Sequence, residues 1–252
     1  MLLTERRGDV LVLTLNRPER LNAAPPALFD AIREALEARG DARAMLIAGE
    51  GRAFCSGADI SGGDVGPDTV HRALVEHYNP AMLALADLPI PVVSAVRGAA
   101  AGIGCSLALA ADFCVASESA YFLHAFVNIG LVPDGGASWM LPRLIGRAHA
   151  AEMMMLGERV PAAKALDWGM IHKVVADDVL DAEAFALAER LAAGPSVALG
   201  LMRRALQAGF ESDYATALAR EAEDQRRARA TLDGEEGGRA FFERRPPRFL
   251  GR

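Results

Sequence analysis

Cysteine is scarce in this chain of 252 residues: Cys55, Cys105 and Cys114 make an odd count with no C-x-x-C spacing. A disulfide framework and the usual zinc patterns are thereby excluded, since both need paired ligands. The five histidines (71, 77, 124, 149, 172) include no H-x-x-x-H or H-E-x-x-H pair, so no metal centre is expected. Aromatics are 6% of the residues, and Ala, Gly, Leu and Val carry most of the 52% hydrophobic content. Small apolar side chains let backbones approach closely, which suits helices wound tightly onto sheet. Positive charge is not in excess, and the formal net charge of −6 argues against nucleic acid as a partner. Long apolar runs are lacking too. The uncharged stretch from Gly98 to Ala111 is fourteen residues, too short to span a bilayer. Residues Met1 to Arg7 show no apolar core of a signal peptide. The expectation is a cytoplasmic protein in a reducing compartment, with a large core and no membrane partner.

The organisation follows from periodicity and turn residues. Residues 2–6 and 9–15 around Arg7-Gly8-Asp9 predict a hairpin. A helix is expected from Pro25-Pro26 to Gly40, with Pro tolerated in its first turn, and a short buried strand from Ala44 to Ala48. Ser61-Gly62-Gly63-Asp64-Val65-Gly66 reads as a mobile loop, and Asp68 to Ala86 as one amphipathic helix. Strands follow at Pro91–Val96, Phe113–Val115, Ala120–Leu123 and Ile171–Val175. Helices are expected at 102–110, from the Asp134 turn to Leu144, at 148–156 and from Pro161. From Leu180 onward the pattern is helical, broken at Gly194-Pro195 and Gly209. The first two-thirds therefore cycle strand, strand, helix, and the last third is helices alone.

Asp134 stands out chemically. It sits in the turn Gly130-Leu131-Val132-Pro133-Asp134-Gly135-Gly136 and is the only carboxylate between Glu118 and Glu152. A carboxylate held against apolar walls has its charged form disfavoured, which raises its pKa and makes it a usable proton carrier near neutrality. Two glycine-rich turns precede it, Gly51 to Ile60 and Arg97 to Ser106. Turns that open helices leave backbone N–H groups aimed at a ligand. One base and two sets of donors point to an enzyme that removes a proton and stabilises the resulting anion.

Other readings of the same residues stay open. Asp134 fits a turn residue or an N-cap for the following helix, and Asp59 a cap on the helix after its loop. Asp112 would close an apolar helix through a structural hydrogen bond, His124 would be a satisfied core histidine, and Met153-Met154-Met155 would pack the core. Gly102-Ile103-Gly104 resembles a dinucleotide turn, though Leu107 occupies the third-glycine position. Gly104-Cys105-Ser106 resembles a nucleophile elbow, with Asp134 and His149 or His172 completing a triad.

Six segments, in order, resemble the crotonase, or enoyl-CoA hydratase/isomerase, superfamily. They are Leu15 to Ala23, Ala53 to Ile60, Ala95 to Asp112, Gly130 to Gly136, Leu166 to Ile171 and Phe241 to Phe249. The resemblance implies an α/β fold: a ClpP-like spiral of ββα units carrying an acyl-CoA site over residues 1–194. It also implies a C-terminal helical trimerisation region over 195–252, hence a homotrimer or a dimer of trimers. The substrate implied is an acyl-coenzyme A thioester, with coenzyme A part of the substrate and no separate cofactor.

By the same resemblance the thioester oxygen is held by the N–H groups of Ala58 and Ile103, the bulk of Ile103 narrowing the space beside the thioester. Substrate-binding positions would be Arg20, Leu21, Ala23, Ser56, Asp59, Ile60, Ser61 and Phe126, with Phe241 and Arg244 reaching coenzyme A from a neighbouring subunit. The acyl pocket would lie along the 61–70 loop and the 68–86 helix. The two glutamates of classical hydratases align with Ser106 and Phe126. Phe126 cannot position water by hydrogen bonding, and Ser106 is a poor acid. Moving a double bond needs one base, and Asp134 aligns with the acidic residue of some isomerases, including those acting on Δ3-enoyl-CoA and on epoxyphenylacetyl-CoA. The expectation is therefore an isomerase of fatty acid or phenylacetate metabolism with Asp134 as base. The alternatives are an enoyl-CoA hydratase and a non-catalytic acyl-CoA-binding homologue.

Overall fold

Val10-Leu11-Val12-Leu13-Thr14-Leu15 is apolar on both of its faces apart from Thr14, so the strand it forms must be covered twice. The computed structural model describes residues 1–61 and 66–252 and shows that double cover. In chain order, β1 (Leu2–Arg7) and β2 (Val10–Leu15) form the expected antiparallel hairpin through Gly8, whose φ is +57°. There follow α1 (Pro26–Glu37), β3 (Ala44–Gly49), α2 (Pro67–Ala73), a π-helical turn (Leu74–Tyr78) and α3 (Asn79–Ala86). Next come β4 (Val92–Val96), β5 (Ala99–Ala101), α4 (Ile103–Leu109), β6 (Phe113–Ser117) and β7 (Tyr121–Leu123). A 3-10 turn (Ala125–Ile129) leads to α5 (Ala137–Leu156), β8 (Val160–Pro161), α6 (Ala162–Asp167) and β9 (Lys173–Val175). The chain ends in α7 (Leu180–Ala192), α8 (Ser196–Gly209), α9 (Tyr214–Arg229) and α10 (Leu232–Glu243).

The main sheet has the order β1-β2-β3-β4-β6-β9, parallel after the first pair, and a smaller sheet β5-β7-β8 stands beside it. On one face Leu11, Leu13 and Leu15 join Leu28, Phe29 and Ile32 of α1 in the larger core. On the other, Val10 and Val12 pack with Leu180, Ala184, Ala188 and Ala192, which recur every fourth residue along α7. This mixed α/β arrangement of strand, strand, helix units is the one the resemblance implied.

Several expectations need correction. The helix expected over 68–86 is interrupted by the π-helical turn at Leu74–Tyr78, which adds a residue without breaking the apolar pattern. The break expected between a helix to Leu144 and one over 148–156 is present, as non-helical Gly146 (φ 71°, ψ 163°) at a kink within α5. Met153 is buried, but Met155 is 71% exposed, so the three methionines do not all pack the core. Most of the loop expected at 61–66 lies outside the described residues.

A buried arginine ties α8 to the start of β6 and the end of α3. Arg203 of α8 donates to both carboxylate oxygens of Asp112 (2.9 and 2.8 Å) and to the carbonyls of Leu85, Ala86 and Leu88. Asp112 also accepts from Val92 N, the structural bond expected of it. Gly200 lets α8 approach the 89–90 bend, because a Cβ there would meet Pro89 O at 2.3 Å. Among the described residues no single helix is long and apolar enough to cross a membrane.

Candidate active site

The turns after β3 and β4 run side by side. Phe54 N donates to Arg97 O (2.7 Å), Cys55 N to Ala99 O (2.9 Å) and Ala101 N to Cys55 O (2.8 Å). Glycine is required where the backbones touch: a Cβ at Gly98 would lie 2.1 Å from Arg52 O. At the open end Gly57 and Gly102 abut, with a Cβ placed on Gly102 3.7 Å from Gly57 Cα. Their φ values of +109° and +52° suit glycine and turn the following N–H groups outward. Those groups belong to Ala58 and Ile103, and neither has a hydrogen-bond partner among the described residues. Ile103 N is an orphan because it opens α4. Ala58 N is free because Gly57 O of the same planar peptide accepts from Ala24 N at 2.8 Å, so the N–H points the opposite way.

A third turn meets these two at Ile103. Gly135 (φ +60°) lies so close that a Cβ there would sit 2.4 Å from Ile103 Cδ1 and 2.7 Å from Ser106 Cβ. The Ile103 side chain is therefore taken up by Gly135 and is 1% exposed, which corrects the expectation that its bulk crowds the thioester. Asp134, the preceding residue, is held by its carbonyl, which accepts from Ser106 Oγ (2.9 Å) and Ala137 N (3.2 Å). Among the described residues its carboxyl Oδ1 is buried with no hydrogen-bond partner. Burial pushes its pKa up from 3.8 to about 6. The capping reading fails, because α5 starts from Gly136 and has no side-chain cap.

Ser106 is fully buried, and its hydroxyl serves the Asp134 carbonyl. His149 stacks on Trp168 (4.2 Å) and His172 packs edge-on to Phe113 (5.1 Å), so no serine triad assembles. The Phe126 ring closes the other side of Gly102, 3.5 Å from a Cβ placed there, and His124 stacks on it with centroids 5.8 Å apart. His124 is in the core as expected but is not satisfied: both ring nitrogens lack partners among the described residues. Burial lowers its pKa to about 4 and leaves it neutral.

The remaining sequence candidates fall into two groups. Residues 20–23 and 56–61 form one surface beside Ala58. Ser56 N donates to Leu21 O (3.0 Å), Ser56 Oγ to Arg20 O (3.4 Å) and Arg17 to Ala23 O (2.5 Å). Asp59 accepts from the Ser61 hydroxyl (2.6 Å) and from Arg17 (2.8 Å), bonds that hold its pKa down at about 2. It does not cap α2, which starts from Gly66. Ile60 is 67% exposed and Arg20 is exposed. Phe241 and Arg244, by contrast, lie exposed at the end of α10.

Sequence reasoning missed three supporting residues. Asn22, fully buried with φ 54°, accepts from Arg17 N and donates to Glu50 O and Ala53 O, joining the two loops. Arg17 holds Asp59, and Tyr78 donates its hydroxyl to Ala24 O at 2.7 Å. The available signal was weak: Asn is among the few residues that tolerate a left-handed backbone. A cavity of about 1290 Å3 begins at Gly135 and Gly136 and runs between Met82 and Leu83 of α3, Trp139 and Met140 of α5, and the C-terminal helices.

Comparison with known proteins agrees with this geometry. The sequence profile described as enoyl-CoA hydratase/isomerase matches residues 5–252. A probable enoyl-CoA hydratase of Rhodobacter capsulatus is 43% identical over 96% of this chain and 94% of its own length. The 1,2-epoxyphenylacetyl-CoA isomerase of Escherichia coli is 40% identical over 100% and 98%. The crystal structure of a putative enoyl-CoA hydratase/isomerase from Mycobacterium abscessus superposes with a TM-score of 0.94 at 34% identity, covering 100% of both chains.

Proposed function

The chain belongs to the enoyl-CoA hydratase/isomerase family, and from that premise we propose that it isomerises acyl-CoA thioesters with Asp134 as the base. The carrying observation is the half-buried Asp134 carboxyl group, whose Oδ1 is buried without a partner among the described residues, set by Gly135 against the residue that offers the Ile103 N–H. The thioester oxygen accepts from Ala58 N and Ile103 N. Asp134 takes a proton from C2 of a 3-enoyl thioester, and the electron pair spreads onto the held oxygen. Return of that proton to C4 moves the double bond from C3=C4 to C2=C3. A positioned donor of this kind contributes about 2.7–4 kcal/mol to the transition state, and the base about 10²–10⁴-fold. The proton shuttle calls for no metal or redox cofactor.

Coenzyme A lies along residues 20–23 and 56–61 in this reading, and the acyl group enters the cavity beyond Gly135. Phe241 and Arg244 belong to the site of a neighbouring subunit in a trimer or dimer of trimers. The 80% exposure of Phe241 and 85% exposure of Phe242 support that burial elsewhere. The name of the Rhodobacter capsulatus relative favours a second reading, hydration of a 2-enoyl thioester. Against it stand Ser106, buried and engaged, and Phe126, neither able to activate water. Purified protein is offered 3-hexenoyl-CoA and crotonyl-CoA, and Asp134→Asn is compared with wild type. Isomerisation lost in the variant is the expected result. Hydration undiminished by the substitution assigns the hydratase instead, and binding without turnover a non-catalytic homologue.

A further inference from the structure

The Ala58 N–H has no side chain to aim it, so its direction depends on what holds the peptides around it. Ala24 holds both. Its N donates to Gly57 O (2.8 Å) and its O accepts from Asp59 N (3.0 Å), so one buried residue brackets Ala58 as a single rung of parallel strand. Ala24 is itself restrained from the far side by a single side chain: Tyr78 donates its hydroxyl to Ala24 O at 2.7 Å across 54 residues of sequence. Tyr78 is 5% exposed, its ring packs edge-on against Phe29 (4.8 Å, 62°), and it ends the π-helical turn between α2 and α3. One-turn π insertions of this sort re-aim a side chain by about one residue and concentrate at functional sites. The charge of Asp134 also reaches this phenol and, after burial, contributes to raising its pKa.

We propose that Tyr78 is a positioning residue for the oxyanion site, fixing the aim of the Ala58 N–H through its hydrogen bond to Ala24. The inference rests on the thioester reading above, because it needs that N–H to meet a carbonyl oxygen. Tyr78 touches no reacting atom. Removing its hydroxyl leaves the Ala24 carbonyl with the Asp59 bond alone and lets the rung rock, and a small misalignment at a reacting centre is costly in rate.

The test uses a cinnamoyl-CoA carrying a para electron-donating group, whose absorption moves to longer wavelength when its carbonyl is polarised. Wild-type protein is expected to red-shift the bound thioester. Tyr78→Phe should cut that shift by about half and lower kcat about tenfold, with KM within about twofold. Phe29→Leu disturbs the same packing without the hydrogen bond, and should lower the thermal midpoint while keeping the shift. A difluorotyrosine placed at 78 retains the hydroxyl as a stronger donor and should keep or enlarge the shift, which serves if Tyr78→Phe does not fold. No shift in wild type overturns the thioester reading itself. A wild-type shift left intact by Tyr78→Phe overturns only the role of Tyr78, as does an equal loss in Phe29→Leu or in the difluorotyrosine protein.

Discussion

Ser106 donates its hydroxyl to the backbone carbonyl of Asp134 at 2.9 Å. Ser106 thereby supports the turn that carries Asp134, the base in the proposed reaction. The helix α4 thus offers an N–H from its first residue and a clamp from its fourth, so the proposed oxyanion donor and the proposed base share one element.

Replacing Ser106 with alanine should therefore loosen the base without removing it. Loss of a neutral hydrogen bond costs about 0.5–1.5 kcal/mol, with Ala137 N still bonded to the Asp134 carbonyl. Isomerase kcat is expected to fall several-fold while the protein stays folded. A nucleophilic serine would behave differently, and total loss of a thioester-cleaving activity in Ser106→Ala would contradict this account.

The pH profile of kcat/KM should report Asp134. With its pKa pushed up to about 6 by burial, the carboxylate form is present above that pH and titrates away below it. Activity should hold level from about pH 7 upward and drop about tenfold per unit below about pH 5.5. His124, lowered to about 4, is neutral throughout and adds no inflection near neutrality. A profile flat through pH 5 would remove Asp134 from the mechanism.

Stability should carry the opposite mark of the same group. A carboxyl group that binds its proton more tightly folded than unfolded favours folding below its unfolded pKa. That advantage is lost as pH rises from about 4 through about 6. Asp134→Asn has no such loss. Chemical denaturation should find the variant little different from wild type at pH 4 and more stable at pH 7.5, by up to about 3 kcal/mol. A constant difference across this range would show that the carboxyl is not shifted.

What the sequence disclosed and what it hid divide by the range of the interaction. Val10–Leu15 and α7 announce themselves through local periodicity, and the glycine turns through residue type. Tyr78 looked like one more core residue on an amphipathic helix, because its partner is a carbonyl 54 residues away. The π-helical turn that delivers it leaves no compositional trace. Ile103 beside the site suggested crowding, and only the position of Gly135 shows where its Cδ1 goes. Short-range preference favours Asp59 as a cap, whereas Arg17 and Ser61 hold it in the fold.

Arg203 should prove the strongest single tie between the C-terminal helices and the sheet. It is 3% exposed and pairs with Asp112, whose pKa is raised because burial outweighs the attraction of the guanidinium. Arg203→Met takes the guanidinium from a part-exposed carboxylate that keeps its Val92 N–H, and removes one donor from each of three carbonyls. Loss of hydrogen bonds to a charged group costs about 1.5–3 kcal/mol. Thermal unfolding should therefore shift down by on the order of 10 °C. A shift of about 2 °C or less would mean that water replaces the guanidinium without penalty.

Gly135 and Ile103 should be coupled. Gly135→Ala imposes a left-handed backbone on a residue with a Cβ, and places that Cβ 2.4 Å from Ile103 Cδ1 and 2.7 Å from Ser106 Cβ. The two effects together cost about 2–4 kcal/mol, and the displaced turn should lower kcat along with stability. Ile103→Val removes Cδ1 itself and alone costs about 0.5–1.5 kcal/mol, leaving the main-chain N–H in place. In the double variant the worst contact is gone, but the strain at φ +60° and the approach to Ser106 remain. The double should thus be more stable than the sum of the singles by about 1 kcal/mol, with part of the lost kcat restored. Additivity within about 0.3 kcal/mol would mean that the Asp134 turn relaxes away from α4 when crowded, and that the contact at Ile103 does not set the position of the base.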